Sequence, residues 1–244
     1  MKRKDRYAVR TQIAGAIHPT CVLRLASFAC LLILPLAAQT LDDAFARMDK
    51  TAQQFKTVEA DIKRIDHTAI VNEDATDSGV IRVRREKQQD VQMLIDFKAP
   101  EPKTVSLAGS SASIYNPKIN TAQVYNIGTK KDLVEQFLLL GFGASSAELK
   151  AAYNVSLAGG DTIGGQQTWH LMLIPKGSDV SRQLKSAELW ISQKDGLPLQ
   201  QKVQFSNGDY WLVTYSNLKF NPKLSDDSLK LKLPKGAVIE HPQL

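Results

Sequence analysis

The pattern of apolar and polar positions after residue 39 begins with one helix and then becomes that of β-strands. Thr40-Leu-Asp-Asp43 has the form of a capping box, and apolar residues recur at helical spacing from there to residue 55. From Val58 the period changes to two, which is typical of strands with one buried face. We therefore predict an amphipathic helix followed by a β-rich domain.

Alternating runs and turn signals continue to the end of the chain. The clearest strand covers residues 91–97, and Asn207-Gly208 between two alternating runs is a strong hairpin signal. The polar segment NEDATDSG, residues 72–79, is interpreted as a turn. The whole pattern predicts about ten or eleven short strands.

Helical spacing returns in the middle of the chain. Residues 132–140 predict a helix, and Ser145-Ser-Ala-Glu148 is a second capping box that opens another. With two or three helices among so many strands, the fold class is mainly β (α+β). No repeat or linker divides residues 39–244, so we predict a single domain.

Two of the predicted strands are apolar on both faces. They are WHLMLI, residues 169–174, and YWLVTY, residues 210–215. A sheet with one face in water does not need a second apolar face. Either both faces of these strands are covered, or one face lines a cavity that receives an apolar ligand.

The stretch Gly79-Val-Ile-Arg-Val-Arg-Arg85 is predicted to be a strand that turns a charge toward the core. Ile81, Val83 and Arg85 fall on one face of it, because side chains two residues apart in a strand point the same way. A guanidinium among apolar groups requires hydrogen-bond acceptors. This arginine is therefore a candidate functional residue.

Residues 1–38 have the pattern of a secretory signal peptide. A basic start precedes an apolar run of twelve residues, from Leu25 to Leu36, and two alanines follow it. The run is too short for a membrane-spanning helix, which needs about 20 apolar residues. We expect cleavage after Ala38. Lipidation at Cys30 is disfavoured, because the leucine expected three residues before a lipidated cysteine is absent.

Removal of the signal peptide changes the charge of the protein. Residues 39–244 contain 25 Lys and Arg and 24 Asp and Glu, so the basic pI belongs to the leader and gives no support for nucleic-acid binding. Cys21 and Cys30 leave with the leader, so the mature chain has no thiol or disulfide. We expect a monomer without a nucleic-acid partner.

No arrangement of residues in the mature chain predicts catalysis or metal binding. The histidines at 67, 170 and 241 are far apart and lack the spacing of metal ligands. Nucleophile-elbow, P-loop and dinucleotide-binding motifs are absent. We therefore predict no catalytic residue, no metal and no cofactor.

An ordered set of short motifs gives the chain a resemblance to a known family. The motifs are G-x-x-x-V-x-R at 79–85, F-x-x-P at 97–100, I-G-G at 163–165, L-x-L-x-P-K at 171–176, D-G-L-P at 195–198, a W-x-V-T-Y-S-N strand, and L-P-K-G at 233–236. In this order they resemble the LolA-type outer-membrane lipoprotein carrier proteins over the mature length. The resemblance implies a curved antiparallel half-barrel whose concave apolar face is covered by helices and holds acyl chains.

The resemblance also assigns roles to particular residues. Arg85 matches an arginine that holds the helical lid of the empty carrier closed, although Glu86 stands where the family often has proline. A solvated arginine at a strand end is the open alternative. We expect a lid or docking segment formed by Phe137, Leu138, Leu139, Leu140 and Phe142. We expect an acyl cavity lined by Phe45 and Met48 of the first helix, facing Ile81, Val83, Val91, Met93, Ile95 and Phe97 of the sheet.

The function implied by this resemblance is that of a periplasmic carrier without enzymatic activity. It would bind the acyl chains of a lipoprotein or lipid cargo and pass them toward the outer membrane. An inner-membrane donor complex and an outer-membrane acceptor would be its partners. The alternative is a periplasmic sensor of lipids or lipoproteins in envelope-stress regulation, and a lipid-acting enzyme is a more distant one.

Overall fold

A computed structural model describes residues 40–87, 90–128 and 140–242. The predicted signal peptide lies outside these ranges, as does the predicted helix 132–140 except for its last residue. Three residues of the predicted lid segment, Phe137, Leu138 and Leu139, also lie outside them.

The first helix begins where the sequence predicts. Thr40 accepts a hydrogen bond from the Asp43 amide at 3.1 Å, and the Asp43 carboxylate accepts one from the Thr40 amide at 3.2 Å. The second predicted capping box, between Ser145 and Glu148, is also present. The described helices are α1 (Leu41–Gln54), α2 (Ser146–Ala152), α3 (Ser178–Ser181) and a 3-10 helix (Asp226–Leu229).

The strands of the described residues form one 12-stranded sheet. Their bounds are β1 (Thr57–Thr68), β2 (Glu73–Lys87), β3 (Asp90–Ala99), β4 (Lys103–Ala108), β5 (Ser111–Asn116), β6 (Thr121–Asn126), β7 (Tyr153–Ile163), β8 (Gln166–Pro175), β9 (Leu184–Ser192), β10 (Pro198–Phe205), β11 (Tyr210–Phe220) and β12 (Val238–Glu240). Their order across the sheet is β12-β6-β5-β4-β3-β2-β1-β11-β10-β9-β8-β7. Two antiparallel meanders, β1–β6 and β7–β11, therefore meet where β1 pairs with β11.

The described residues contain twelve strands, one more than the upper end of the predicted ten or eleven. The additional strand is β12, which pairs in parallel with β6, whereas the other pairs are antiparallel. It contains only three residues, too few for an alternating pattern to reveal it.

The segment NEDATDSG was wrongly predicted to be a turn. The turn is shorter and ends at Asn72, which adopts a positive φ of 52°, and β2 starts at the next residue. Asp and Asn are poor strand formers in isolation. Here twelve consecutive residues of β2 pair with β1, and this pairing overrides the local preference.

Most buried apolar side chains form two clusters on one face of the sheet, which we call the inner face. The helix-side cluster packs α1 and α2 against β8 and β9, and it includes Phe45, Leu149 and Leu171. The sheet cluster covers β1 to β4 and includes Val58 and Val83. The alternation predicted from the sequence thus identifies buried positions on both meanders.

Strands β2 and β3 come very close together at Gly79. A Cβ atom at this position would lie 2.2 Å from the carbonyl oxygen of Asp96 and 2.7 Å from the Cα of Phe97. Both atoms belong to the backbone, so they cannot move away without disturbing the sheet. Only glycine fits here.

We predict that Gly79→Ala lowers the free energy of unfolding by about 2–3 kcal/mol, because the added methyl group overpacks a backbone contact. Urea denaturation of the purified protein measures this change. Gly177→Ala is the matched control, since its Cβ would lie 3.9 Å from the nearest atom, on Val180. Equal denaturation midpoints for the two variants would contradict the prediction.

Candidate functional site

The predicted sheet lining lies together on the inner face. Cross-strand register places Ile81 opposite Ile95 and Val83 opposite Met93. The buried members of the predicted set are Ile81, Val83, Val91, Met93 and Phe97. Ile95 is half-buried and packs against the same cluster. An apolar surface with this composition can contact an acyl chain wherever it is accessible.

Access to this surface lies along a row of β-branched side chains. Ile95 pairs with Val105, and Val105 pairs with Ile114 on the next strand. Ile95 and Val105 are half-buried, and Ile114 is 39% exposed. Val105 and Ile114 were not among the predicted site residues, because alternation within strands of six residues is a weak signal.

The predicted positions of Phe45 and Met48 require a correction. Both are buried, but they belong to the helix-side cluster and do not face the predicted residues of β2 and β3. The amphipathic stripe of a helix shows that one side is buried. It does not show which strands cover that side.

Arg85 lies on the inner face at one end of the apolar surface, opposite Val91 of β3. Its Nη1 donates a hydrogen bond of 2.8 Å to the carbonyl oxygen of Gly143. The guanidinium carbon lies 5.4 Å from the centroid of the Phe55 ring. The neighbouring Arg84 is on the outer face, where it pairs with Asp226 at 2.6 Å and lowers the pKa of that carboxyl group.

The segment that receives the Arg85 hydrogen bond connects the two clusters. Leu140 is buried in the helix-side cluster, and Phe142 is buried in the sheet cluster. Gly141 and Gly143 adopt positive φ values of 90° and 70°. A Cβ atom at Gly143 would lie 2.6 Å from the Phe55 ring, so glycine permits the close approach. The two described residues of the predicted lid segment, Leu140 and Phe142, are buried against the inner face.

Phe142 is held by an aromatic contact with β11. Its ring meets Tyr215 edge to face, with centroids 4.8 Å apart. The Tyr215 hydroxyl donates to Oε1 of Gln201 at 3.1 Å, and burial raises the pKa of this tyrosine. The neutral phenol therefore supplies an apolar ring to the cluster and satisfies its polar atom locally.

The other end of the inner face carries charges that the sequence analysis missed. Arg64 pairs with Asp66 through two contacts, Nε to Oδ1 at 2.8 Å and Nη2 to Oδ2 at 2.6 Å. Lys103 pairs with Asp77 at 2.5 Å. The signal was available, because Arg64 and Asp66 continue the alternation of the buried Ile62.

One aromatic ring lies beneath both pairs. The guanidinium carbon of Arg64 is 5.7 Å from the centroid of the Phe97 ring, and the Lys103 ammonium is 5.0 Å from it. Register confirms the arrangement, since Arg64 is opposite Asp77 and Lys103 is opposite Phe97. We call Arg64, Asp66, Asp77 and Lys103 the charged end.

The two described strand histidines lie beside carboxylates. His67 Nδ1 lies 2.7 Å from Asp74. His170 lies between Glu188, 2.8 Å from its Nε2, and Asp161, 3.7 Å from its Nδ1. Within residues 40–87, 90–128 and 140–242, no three His, Cys, Asp or Glu side chains form a group that would hold a metal ion. Among the same residues, no helix has the length and apolar character needed to cross a membrane.

Known proteins resemble this chain in fold and not in sequence. No protein-family model matches the chain, and no curated protein matches it. Among solved structures, an uncharacterized conserved protein from Thermus thermophilus is similar, with 15% identity, a TM-score of 0.50, and coverage of 84% of this chain and 100% of that one.

Two further solved structures are similar to this chain. MucB has 15% identity and a TM-score of 0.49, covering 78% of this chain, which spans 62% of the MucB chain. A LolA superfamily protein from Nitrosomonas europaea has 11% identity and a TM-score of 0.38, covering 80% of this chain and 99% of that one. Identities this low concern the fold alone.

The predicted fold is confirmed. The chain has an open, curved and mostly antiparallel sheet that carries helices against its inner face, which is the architecture that the resemblance to LolA-type carriers implies. The sheet and helices place an apolar surface between Arg85 at one end and the charged end at the other.

Proposed function

We propose that this protein is a periplasmic carrier that holds acyl chains of a lipoprotein or lipid against its inner face and passes them toward the outer membrane. The observation that carries the proposal is the row Ile95, Val105 and Ile114, where an apolar surface continuous with the core becomes accessible. The LolA-like fold and the signal-peptide pattern support the same function.

The energetics of acyl chains favour a carrier. Burial of a 16-carbon chain is worth roughly 12 kcal/mol at about 0.8 kcal/mol per methylene group. Such a chain does not cross an aqueous compartment unaided. Exchange between two apolar sites replaces one buried environment with another and avoids this cost. A protein with no chemistry at its site can therefore perform the transfer.

The hydrogen bond between Arg85 and Gly143 supports a role in closing the site. It ties the covering segment 140–144 to the end of β2. Phe142 fills the sheet cluster in this arrangement. A bound acyl chain would displace Phe142 and separate Arg85 from the carbonyl. The closed form then competes with the cargo, which favours release to an acceptor.

The direction of transfer defines the partners. We propose an inner-membrane donor complex and an outer-membrane acceptor, with the protein moving between them as a monomer. The site residues act by shape and apolar contact, so the proposed carrier has no catalytic residue and needs no cofactor.

We predict that Ile114→Asp weakens binding of a fluorescent acyl probe by more than about tenfold, because a carboxylate on the accessible row must lose water when the chain binds. Fluorescence titration of the purified protein measures the affinity. Ile95→Asp should act in the same direction.

Ile119→Asp is the control for this experiment. It makes the same isoleucine-to-aspartate change in the β5–β6 turn, where Ile119 is 63% exposed. It should leave probe affinity unchanged. If folded Ile114→Asp and Ile95→Asp bind the probe as tightly as Ile119→Asp does, the row does not contact acyl chains.

We predict that Arg85→Leu retains its cargo and transfers it to acceptor vesicles about tenfold more slowly than the wild type, because a charge-assisted hydrogen bond that favours the closed form is lost. Stopped-flow fluorescence of a labelled acyl cargo measures the rate. Arg84→Leu is the matched control, since Arg84 binds Asp226 and Gln92 on the outer face. Equal transfer rates for the two variants would reduce Arg85 to a structural charge.

A further inference from the structure

The inner face has two chemically different parts. Along β2 it runs from Arg85 through Val83, Ile81 and Gly79 to Asp77, so the apolar part precedes the charged end. A ligand that lies along this face and matches it must be amphiphilic, with its polar group at the charged end.

The charged end is accessible. The side chains of Arg64, Asp66 and Lys103 are 25%, 24% and 32% exposed, whereas Asp77 is 11% exposed. Phe97 beneath them is buried. The cations therefore sit between an aromatic ring and solvent, where a polar group of a ligand can reach them.

A cleft adjoins the charged end on the β11 side. Trp211 is the cross-strand partner of Asp66, is 42% exposed, and lies with its ring 5.0 Å from the guanidinium carbon of Arg64. Asp66 and Trp211 line a cleft of about 470 Å³ together with Phe205 and Arg182. This space can hold a small polar headgroup next to the charged end.

The charges of this end balance, and the adjoining cleft adds one of each sign, Arg182 and Asp209. Two cations and two carboxylates form two adjacent ion pairs, and Arg64 is directly opposite Asp77. A ligand that takes one member of a pair leaves the other member partly buried without its partner, which is costly. A ligand that carries both a positive and a negative charge can pair with both members at once.

We propose that the charged end binds a zwitterionic lipid headgroup made of a phosphate and a primary ammonium group. The phosphate oxygens accept hydrogen bonds from Arg64 and Lys103, and the ammonium donates to Asp66 and Asp77. Each charged side chain of the site then loses a partner of opposite sign and gains another one from the headgroup. This inference rests on the proposed function, because the acyl chains of the same lipid occupy the apolar part.

The same balance disfavours other headgroups. A purely anionic headgroup would draw Arg64 and Lys103 away from Asp66 and Asp77 and offer these carboxylates no cation. An uncharged headgroup would leave the ion pairs intact and gain no charge-assisted hydrogen bond. The site therefore selects by the presence of both charges.

The test is a competition between two lipids with identical acyl chains. The purified protein is incubated with vesicles of equal amounts of phosphatidylethanolamine and phosphatidylglycerol, re-isolated, and its bound lipid is quantified by mass spectrometry. We expect phosphatidylethanolamine to exceed phosphatidylglycerol by about tenfold, the effect of one charge-assisted hydrogen bond. A ratio near one, or a preference for phosphatidylglycerol, would overturn the inference.

Paired substitutions locate the selectivity. Asp77→Asn combined with Lys103→Met removes one ion pair without leaving a lone charge, and the lipid ratio should fall toward one. The matched control combines Glu101→Gln with Lys118→Met, which removes an exposed ion pair of 2.6 Å outside the charged end. Thermal unfolding by circular dichroism confirms that both variants fold. An unchanged ratio in the folded Asp77 and Lys103 variant would contradict the assignment.

A competition experiment with a soluble headgroup analogue distinguishes binding of the whole lipid from binding of its headgroup alone. Glycerophosphoethanolamine carries the same charges without acyl chains, and it should displace bound phosphatidylethanolamine only at a concentration about a hundredfold higher than the lipid requires. Equal potency would show that the site recognises a free headgroup, against the inference.

The wild-type experiment also distinguishes failure of the headgroup proposal from failure of the proposed carrier function. Binding of both lipids at a ratio near one leaves the carrier function intact and refutes the headgroup site. Failure to bind either lipid or an acyl probe refutes the carrier function itself.

Discussion

The proposed closed form depends on the hydrogen bond from Arg85 to the Gly143 carbonyl. This bond joins the end of β2 to the segment that covers the inner face, and it gives a guanidinium among apolar side chains the acceptor that it requires. Gly143 makes the contact possible, because any larger residue would collide with Phe55. The arginine predicted to face the core therefore finds a backbone acceptor for its Nη1.

This arrangement explains how a single curved sheet can present an apolar face without a second sheet above it. The helix-side cluster closes one meander under α1 and α2, whereas the sheet cluster is filled from above by Phe55 and Phe142. Toward β5 the covering becomes incomplete, and Ile114 is exposed. The covered parts of the inner face thus form the packed core, and its part near β5 is accessible to a ligand.

Periodicity predicted the secondary structure well where it was long and failed where it was short or polar. Both capping boxes and the buried alternation of β1 were predictable, because each is a local property of a few residues. The strand β12 was too short to predict, and the polar start of β2 is held by pairing alone.

The candidate site was predictable only in part, for a different physical reason. Alternation identified Val83 and Met93 as inner-face residues, but it could not place α1 over β8 and β9. The charged end was missed because its four residues come from three strands. Only the register brings Arg64 beside Asp77 and Lys103 above Phe97.

The identity of the molecule that co-purifies with the protein tests the carrier function most directly. The exported protein is isolated from the periplasm of its own host and analysed by native mass spectrometry, followed by extraction of any bound lipid. The account predicts an adduct that bears acyl chains and is lost on extraction. Protein that is free of lipid, and that also fails to take up acyl chains from donor membranes, would contradict it.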